Sequence, residues 1–599
     1  MSPLGRAAAF AVALITSIHV GAPVAVGQDT AQVRTDSLAV PEQAPESLPP
    51  KTVLPVEAPR TPPGPLPPGS RYTFTRDSIL WSSAHTLADL LGAIPGVYVA
   101  RGGFVGQPEY VQYGGRGGQA VELYWDGLPW EPLGSDSLFN DPGRIPLTYL
   151  RRIDVEVLPA ALRINLVSER HESRAVRSLV RVVSGAFKTA AYTGLFQKRW
   201  SSGLGLNLAA DFLGTDGASG PGRGDQTFDV WAKISWMPSG KVGATYQIRR
   251  QDHERDPVSS IAGALGVPER MGARTDFLFT LFGGTRADGL GFQAQGGLAA
   301  SSWSADSASA IPDQSLRNAY VDLRYVRPSW TAALRSRVGD ARTTLEVEGR
   351  LGWVPLPGIV LAADARWRQH VGDRVSRGVH LSGGLYRGPV SLVGDIHFQH
   401  AVQAPALLAD TAIRSVDRSL RAELRTRLLA GHIGVVRRDA YEPLPYPDLS
   451  VIAGLAPSPA ATYLLTDIQL RPTSAITLSG WYSNAISGTP ADLQPPHHGR
   501  VAATLRSKFW RTFRSGAFDL KLQLAMESWS TGTAGLDAQG GPITLSGATF
   551  YEVHIEFQIA SFTGFWNMRN FRLTEAQYVP DLQYPRNAQT FGVTWVFGN

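Results

Sequence analysis

Phe228-Asp229-Val230-Trp231-Ala232-Lys233-Ile234-Ser235-Trp236 reads as two faces. Phe228, Val230, Ala232, Ile234 and Trp236 fall on one, Asp229, Lys233 and Ser235 on the other. A period of two belongs to an extended strand, whose side chains point alternately to opposite sides. The run is about as long as a tilted strand needs to cross hydrocarbon, roughly nine to eleven residues.

The pattern recurs from about Leu179 to the end of the chain. Leu345, Val347, Gly349, Leu351 and Trp353 alternate with Glu346, Glu348 and Arg350. Leu361, Ala363, Ala365 and Trp367 alternate with Asp364, Arg366 and Arg368. Leu420, Ala422, Leu424 and Leu428 are opposed by Arg421, Glu423, Arg425 and Arg427. A soluble sandwich also alternates, but an open sheet does not run to on the order of twenty-two strands without curling or splitting. An Arg or Lys turned to lipid costs about 2–4 kcal/mol at the bilayer midplane, so the charged faces are expected to look into a wet lumen. Closure also removes strand edges that hydrocarbon cannot satisfy. Trp200, Trp236, Trp330, Trp353, Trp481 and Trp529 fall near the ends of runs, where interfacial girdles are expected. Phe591, Val593, Trp595 and Phe597 alternate with Gly592, Thr594 and Val596 as a last strand. The expected fold is an all-β transmembrane barrel of about 22 antiparallel strands, residues 171–599, too wide for its own side chains to fill. Something must stopper it.

Composition narrows the function. Charged residues are 18% of the 599, below the quarter usual in soluble domains. Zero Cys excludes disulfide frameworks, thiolate zinc sites and Cys nucleophiles. The net charge of +6 is spread along the chain without a basic arm, so no nucleic-acid partner is expected. No ligand spacing marks a metal site, and no cofactor is implied. His380 and His397 have no motif tying them to a nucleophile, so no enzyme is expected.

The N-terminus carries an export address at 1–27: Arg6, the apolar run Ala7 to Ile18, and small residues Ala25-Val26-Gly27 before Gln28. No later stretch is apolar for long enough to span as a helix. Residues 28–70 are rich in Pro, Glu, Ala and Ser, a composition that cannot offset chain ordering, and read as a periplasmic linker.

A compact mixed α/β unit is expected over 71–170, small enough to be the stopper. Arg71 to Thr75 alternates as a strand; Ser82 and Ser83 are candidate N-caps for a helix with apolar positions Leu87, Leu90, Leu91 and Ile94; Pro95-Gly96 stops it. Val97 to Val99, Val121 to Trp125 and Ile153 to Leu158 follow as strands, with a turn at Asp126-Gly127. The glycines between Arg101 and Gly118 lack a following Gly-Lys-Ser/Thr and the strand–loop–helix frame of a phosphate cradle, so they read as turns. Arg116, Asp126, Arg151, Arg152 and Glu156 could contact a cargo, but the preferred expectation is that they pair with the barrel wall, because charges at a half-buried interface need partners.

Within this unit, Thr86-Leu87-Ala88-Asp89-Leu90-Leu91 with Ile94-Pro95-Gly96-Val97 resembles the plug opening of TonB-dependent outer-membrane receptors. So do Val111-Gln112-Tyr113-Gly114-Gly115-Arg116-Gly117, Leu123-Tyr124-Trp125-Asp126-Gly127-Leu128-Pro129 and the "RIEV"-like Arg152 to Val157. Asn567-Met568-Arg569-Asn570 and Tyr584-Pro585-Arg586 resemble the end of that family's barrel. The family's "GP-x-S-x-LYG" turn and "GGVINI" strand are replaced by Leu158 to Val167, which puts the ordinary seating of the plug in question. The resemblance implies a receptor in the outer membrane of a Gram-negative bacterium. Its function would be TonB-energised uptake of a scarce nutrient such as a metal chelate or cofactor. Expected partners are the TonB C-terminal domain, outer-membrane lipid, the barrel-assembly machinery and a small-molecule cargo. Asp36-Ser37-Leu38-Ala39-Val40 resembles the TonB box, which binds by adding a strand, with Thr52 to Val56 as second choice. The alternative is a non-energised porin, adhesion or scaffolding barrel.

Overall fold

The computed structural model describes residues 66–67, 69–82, 84–134, 138–217, 224–305, 313–406, 412–573 and 575–598. The export segment 1–27, nearly all of the linker 28–70 and both strand-addition candidates, Asp36 to Val40 and Thr52 to Val56, lie outside the described residues.

Among the described residues, 22 strands from Arg177–Gly185 to Ala588–Gly598 form one closed antiparallel ring. The last strand pairs with the first, Val593 opposite Val182, so no edge is left open. Side-chain alternation sets the two faces as expected. Phe228, Ile234 and Trp236 are 45%, 48% and 54% exposed on the outer wall, whereas Asp229, Lys233 and Ser235 are each 1% exposed inside. Glu346, Glu348 and Asp364 also face in. Arg421 faces in, and Arg425, at the exposed end of the strand Ala412–Arg425, keeps that phase and pairs with inward Glu423 at 2.8 Å, whereas Arg427 lies beyond the strand in an open turn. Trp200, Trp236 and Trp353 stand exposed near that same end of the barrel, with Trp330 opposite Trp353. Trp481 and Trp529 depart from the girdle expectation. Both are buried, because they share the phase of inward residues such as Glu527.

Connections at one end of the barrel, the turn end, are mostly tight, for example 388–389 and 560–561. At the opposite, loop end they include 256–269, 439–460, 530–547 and 570–587.

The lumen is filled by residues 69–168. Strand β1 (Arg71–Thr75) leads to helix α1 (Arg76–Leu80), which the periodicity did not indicate, and helix α2 (Leu87–Leu91). The N-cap of α2 is Thr86, not Ser82 or Ser83, because Asp89 accepts from the His85 and Thr86 amides at 3.0 and 3.3 Å. Strands β2 (Val97–Arg101) and β3 (Glu109–Tyr113) form a separate hairpin. Strands β4 (Val121–Trp125), β5 (Leu128–Pro129), β6 (Leu150–Leu158) and β7 (Ala161–Ser168) complete a sheet of order β1-β6-β7-β4-β5, parallel only between β4 and β7. The β4–β5 turn is built on Asp126 (φ 45°) and Gly127 (φ 92°), as a two-residue hairpin loop requires. Leu87, Leu91, Ile153, Val155, Leu162 and Ile164 are fully buried in its core.

The long loops close over the β2–β3 hairpin. Ser450 N–H donates to Gly266 at 2.9 Å, Ala453 to Leu536 at 2.9 Å and Ile261 to Asp581 at 2.9 Å, so four loops are knitted by their backbones. Beneath them Tyr98, Tyr110, Tyr446, Trp529, Phe550 and Tyr578 share one buried aromatic cluster. Half of the loop end is thereby roofed. The other half, above the strands from Trp330 to Val402, has the short connections 340–342 and 371–374.

Candidate functional site

The plug meets the wall through charge. Arg163 on β7 is 2% exposed and reaches Glu156 at 3.1 Å, Glu122 and Asp364 at 3.4 Å each, and Glu348 at 4.0 Å. Glu122 on β4 takes Arg366 of the wall at 2.6 Å, and Glu131 takes Arg337 at 2.7 Å. Of the five plug charges singled out from the sequence, three meet the barrel. Arg116 pairs with Asp417, Glu156 with Arg350 at 3.4 Å, and Asp126 receives Gln247 at 2.7 Å with Lys233 at 3.8 Å. Arg151 instead holds Glu172 at 2.8 Å, and Arg152 holds Asp154 at 2.8 Å, both outside the wall. Seating therefore does not need the missing Gly-rich segment: β6 and β7 are joined directly through Pro159 and Ala160, and Arg163 supplies the anchor. Gly115 also approaches the wall so closely that a Cβ would collide with the Tyr463 hydroxyl.

Two cavities flank the plug. The smaller, about 220 Å³, lies beside the plug below the connections 340–342 and 371–374, lined by Gln119, Trp130, Asn140, Arg337, Arg342, Arg366, Arg368 and His370. Its cations outnumber Glu122 and Glu131. Arg342 has no carboxylate partner among the described residues; it bonds the Pro132 carbonyl and, at 2.9 Å, Gln314 Oε1. The sequence patterns missed this cavity because its arginines come from separate strands. The larger cavity, about 930 Å³, runs along the wall from the turn end, where Arg71, Trp81, Arg506 and Lys521 line it, to Arg101, Arg569 and Tyr578 beneath the roof. Arg101 pairs there with Asp89 at 2.8 Å and with Glu109, while Arg569 pairs with Glu527 at 2.6 Å and Glu552 at 3.2 Å.

His380 sits between Asp364 at 3.1 Å and Asp395 at 3.3 Å, its ring 6.1 Å from that of His397. Folding thus groups Glu156, Asp364 and His380 within 4.8 Å, a set that sequence spacing did not show. Arg163 and Arg350 already neutralise those carboxylates, so the group is an ion-pair network.

Two plug groups give the interface a pH dependence. Burial, with Arg181 nearby, lowers the His85 imidazole to about 4. Burial would raise Asp89, but Arg101 and His85 outweigh it and hold the carboxyl at about 2. A lowered histidine leaves stability intact above its unfolded value near 6.5 and erodes it as pH falls toward 4. A lowered carboxylate contributes above about 4 and is lost as pH falls toward 2. Because His85 edges the larger cavity, its step is discounted for hydration to about 2 kcal/mol. The protection factors of amides 84–95, taken relative to the intrinsic exchange rate at each pH, are expected to fall between pH 6.5 and 4 in the native chain and to stay level over that window in His85→Gln.

Residues 67–163 match the sequence profile of the TonB-dependent Receptor Plug Domain. No curated protein matches the chain as a sequence. Solved structures match it as a fold. The siderophore receptor PirA of Acinetobacter baumannii superposes with a TM-score of 0.68 at 10% identity, covering 88% of this chain and 98% of its own. A mutant of the ferric enterobactin receptor PfeA of Pseudomonas aeruginosa gives 0.67 at 12% identity, covering 89% and 98%. The FrpB iron transporter of Neisseria meningitidis gives 0.66 at 9% identity, covering 88% and 99%. Residues 67–163 are a TonB-dependent receptor plug domain, and they stopper a closed 22-stranded barrel that shares the fold of these solved structures.

Proposed function

We propose that this chain imports a scarce, small, anionic nutrient, such as a metal chelate or cofactor, across a Gram-negative outer membrane with work supplied by TonB. The observation that carries the reading is the charged seal between plug and wall. Buried pairs such as Arg163–Asp364 and Arg116–Asp417 block free diffusion, and separating them costs desolvated charges that only applied work can meet. The loop-end arginines favour an anion at the entrance, and the larger cavity, on a different arc of the wall, reaches the turn end and offers a periplasmic exit. TonB pairing at Asp36 to Val40 remains part of this proposal.

The test is capture of the detergent-solubilised receptor by the immobilised TonB C-terminal domain. The full chain is expected to be retained and a variant lacking Asp36 to Val40 to pass through. No retention of the full chain would transfer the protein to the non-energised barrels.

Cargo charge can be tested separately. Arg342→Gln and Arg368→Gln are each expected to weaken binding of an anionic metal chelate about tenfold, since a charge-assisted hydrogen bond contributes about 1.5–3 kcal/mol. Binding of neutral chelates should not change. Fluorescence titration across a panel of both kinds decides it.

A further inference from the structure

Among the described residues the outer wall carries a basic patch with no carboxylate paired to it. Outward positions on the barrel are overwhelmingly apolar, yet Arg377, Arg414, Arg418 and Arg437 point outward and are exposed, with His400 half-exposed among them. They lie on the four consecutive strands Val375–Arg387, Val390–Val402, Ala412–Arg425 and Leu429–Arg438. Register places Arg377 opposite His400, His400 opposite Arg414, and Arg418 opposite Arg437. Directly opposed residues of an antiparallel pair share a face with Cβ atoms about 5 Å apart, and like charges so placed repel.

No carboxylate pairs with any of the four arginines among the described residues; Arg414 only donates to His400 Nδ1 at 3.2 Å. By contrast, Arg250 on another stretch of the outer wall is neutralised by Asp252 at 2.9 Å. Toward the turn end the patch gives way to exposed Leu381, Phe398, Leu420, Leu424, Ile433 and Val435, an apolar band that acyl chains would cover. Toward the loop end the strands leave the band. The cations thus stand at its upper border, where a lipid headgroup lies.

We infer that this patch binds a membrane lipid whose headgroup carries two phosphates, one forked by Arg418 with Arg437 and the other by Arg377 with Arg414. Guanidinium groups grip phosphate bidentately; an anion between the opposed Arg418 and Arg437 turns their repulsion into attraction, and a second can bridge Arg377 and Arg414 across His400. The four-residue step from Arg414 to Arg418 separates the two pairs by about 13 Å, too far for one phosphate to serve both. The inference rests on the reading of the barrel as outer-membrane, with its loop end in the outer leaflet.

Native mass spectrometry of the full receptor, exchanged into detergent with a bisphosphorylated disaccharide lipid, its monophosphorylated form, or phosphatidylethanolamine, tests it. The bisphosphorylated lipid is expected to be retained at least tenfold better than either other. Arg418→Gln with Arg437→Gln should erase that preference, whereas the corresponding lysine pair should keep part of it. Equal retention of all three lipids by the native receptor, a comparison that needs no variant, overturns the inference; so does an unchanged preference in the glutamine pair. A receptor that stays soluble without detergent and retains no lipid fails the outer-membrane reading itself.

Discussion

Replacing Arg163 by Met is expected to loosen the plug by about 3 kcal/mol while leaving the barrel intact. The guanidinium is 2% exposed and stands among Glu156, Glu122, Asp364 and Glu348. Removing one partner of a buried ion pair costs about 3–5 kcal/mol, because the other charge stays desolvated and unmatched. Here the loss falls at the lower end. Glu156 keeps Arg350 at 3.4 Å, Glu122 keeps Arg366 at 2.6 Å, and Asp364 keeps His380 at 3.1 Å. Met preserves most of the volume, so a cavity adds little. Arg163→Lys retains the charge but not the fork, and should cost less than half as much. The plug contributes the cation and the wall contributes Asp364 and Glu348, so the weakness appears at the seal. Planar-bilayer recordings are expected to show brief openings in Arg163→Met that the native receptor lacks, with heat-modifiable gel mobility unchanged. A silent bilayer together with a native plug unfolding transition would show that the network does not hold the seal.

Much of this architecture is legible in the order of residues alone. Lumen and lipid faces follow from period two and the cost of charge in hydrocarbon, and Asp229, Lys233 and Ser235 obey both. The helix cap is also legible, since Thr86 and Asp89 stand three apart as a capping box does, though Ser82 and Ser83 offer a competing start. The phase of Trp529 with Glu527 turns it inward, but nearness to a strand end does not reveal which face a residue takes. What periodicity cannot supply is partner choice across long separations. Arg163 finds Asp364 only because closure brings one wall strand past β7, and no spacing rule encodes that meeting. The roof is hidden for a related reason: Tyr446, Leu493, Phe550 and Tyr578 come from loops and strands without common periodicity, and only their aromatic density hints at a core.

That roof gives the second large effect. Tyr98→Ala is expected to cost about 3–5 kcal/mol, the range for removing a large buried side chain and leaving its cavity. Tyr98 is fully buried at the plug apex, packs edge-on against His498 at 5.3 Å and Trp529 at 5.5 Å, and donates its hydroxyl to the Tyr578 carbonyl at 2.7 Å. It therefore joins the β2–β3 hairpin to a loop that Ile261 and Asp581 tie to its neighbour. Tyr98→Phe removes only the hydrogen bond and should cost about 1 kcal/mol. Loss of the ring frees the loops from the plug, so limited proteolysis is expected to nick 530–547 and 570–587 in Tyr98→Ala and to spare them in Tyr98→Phe. If the alanine variant resists as the native chain does, the loops hold one another without the plug, and movement of the hairpin would not unlatch the roof. If it yields, a displacement of the plug from the turn end reaches the loop end through one ring.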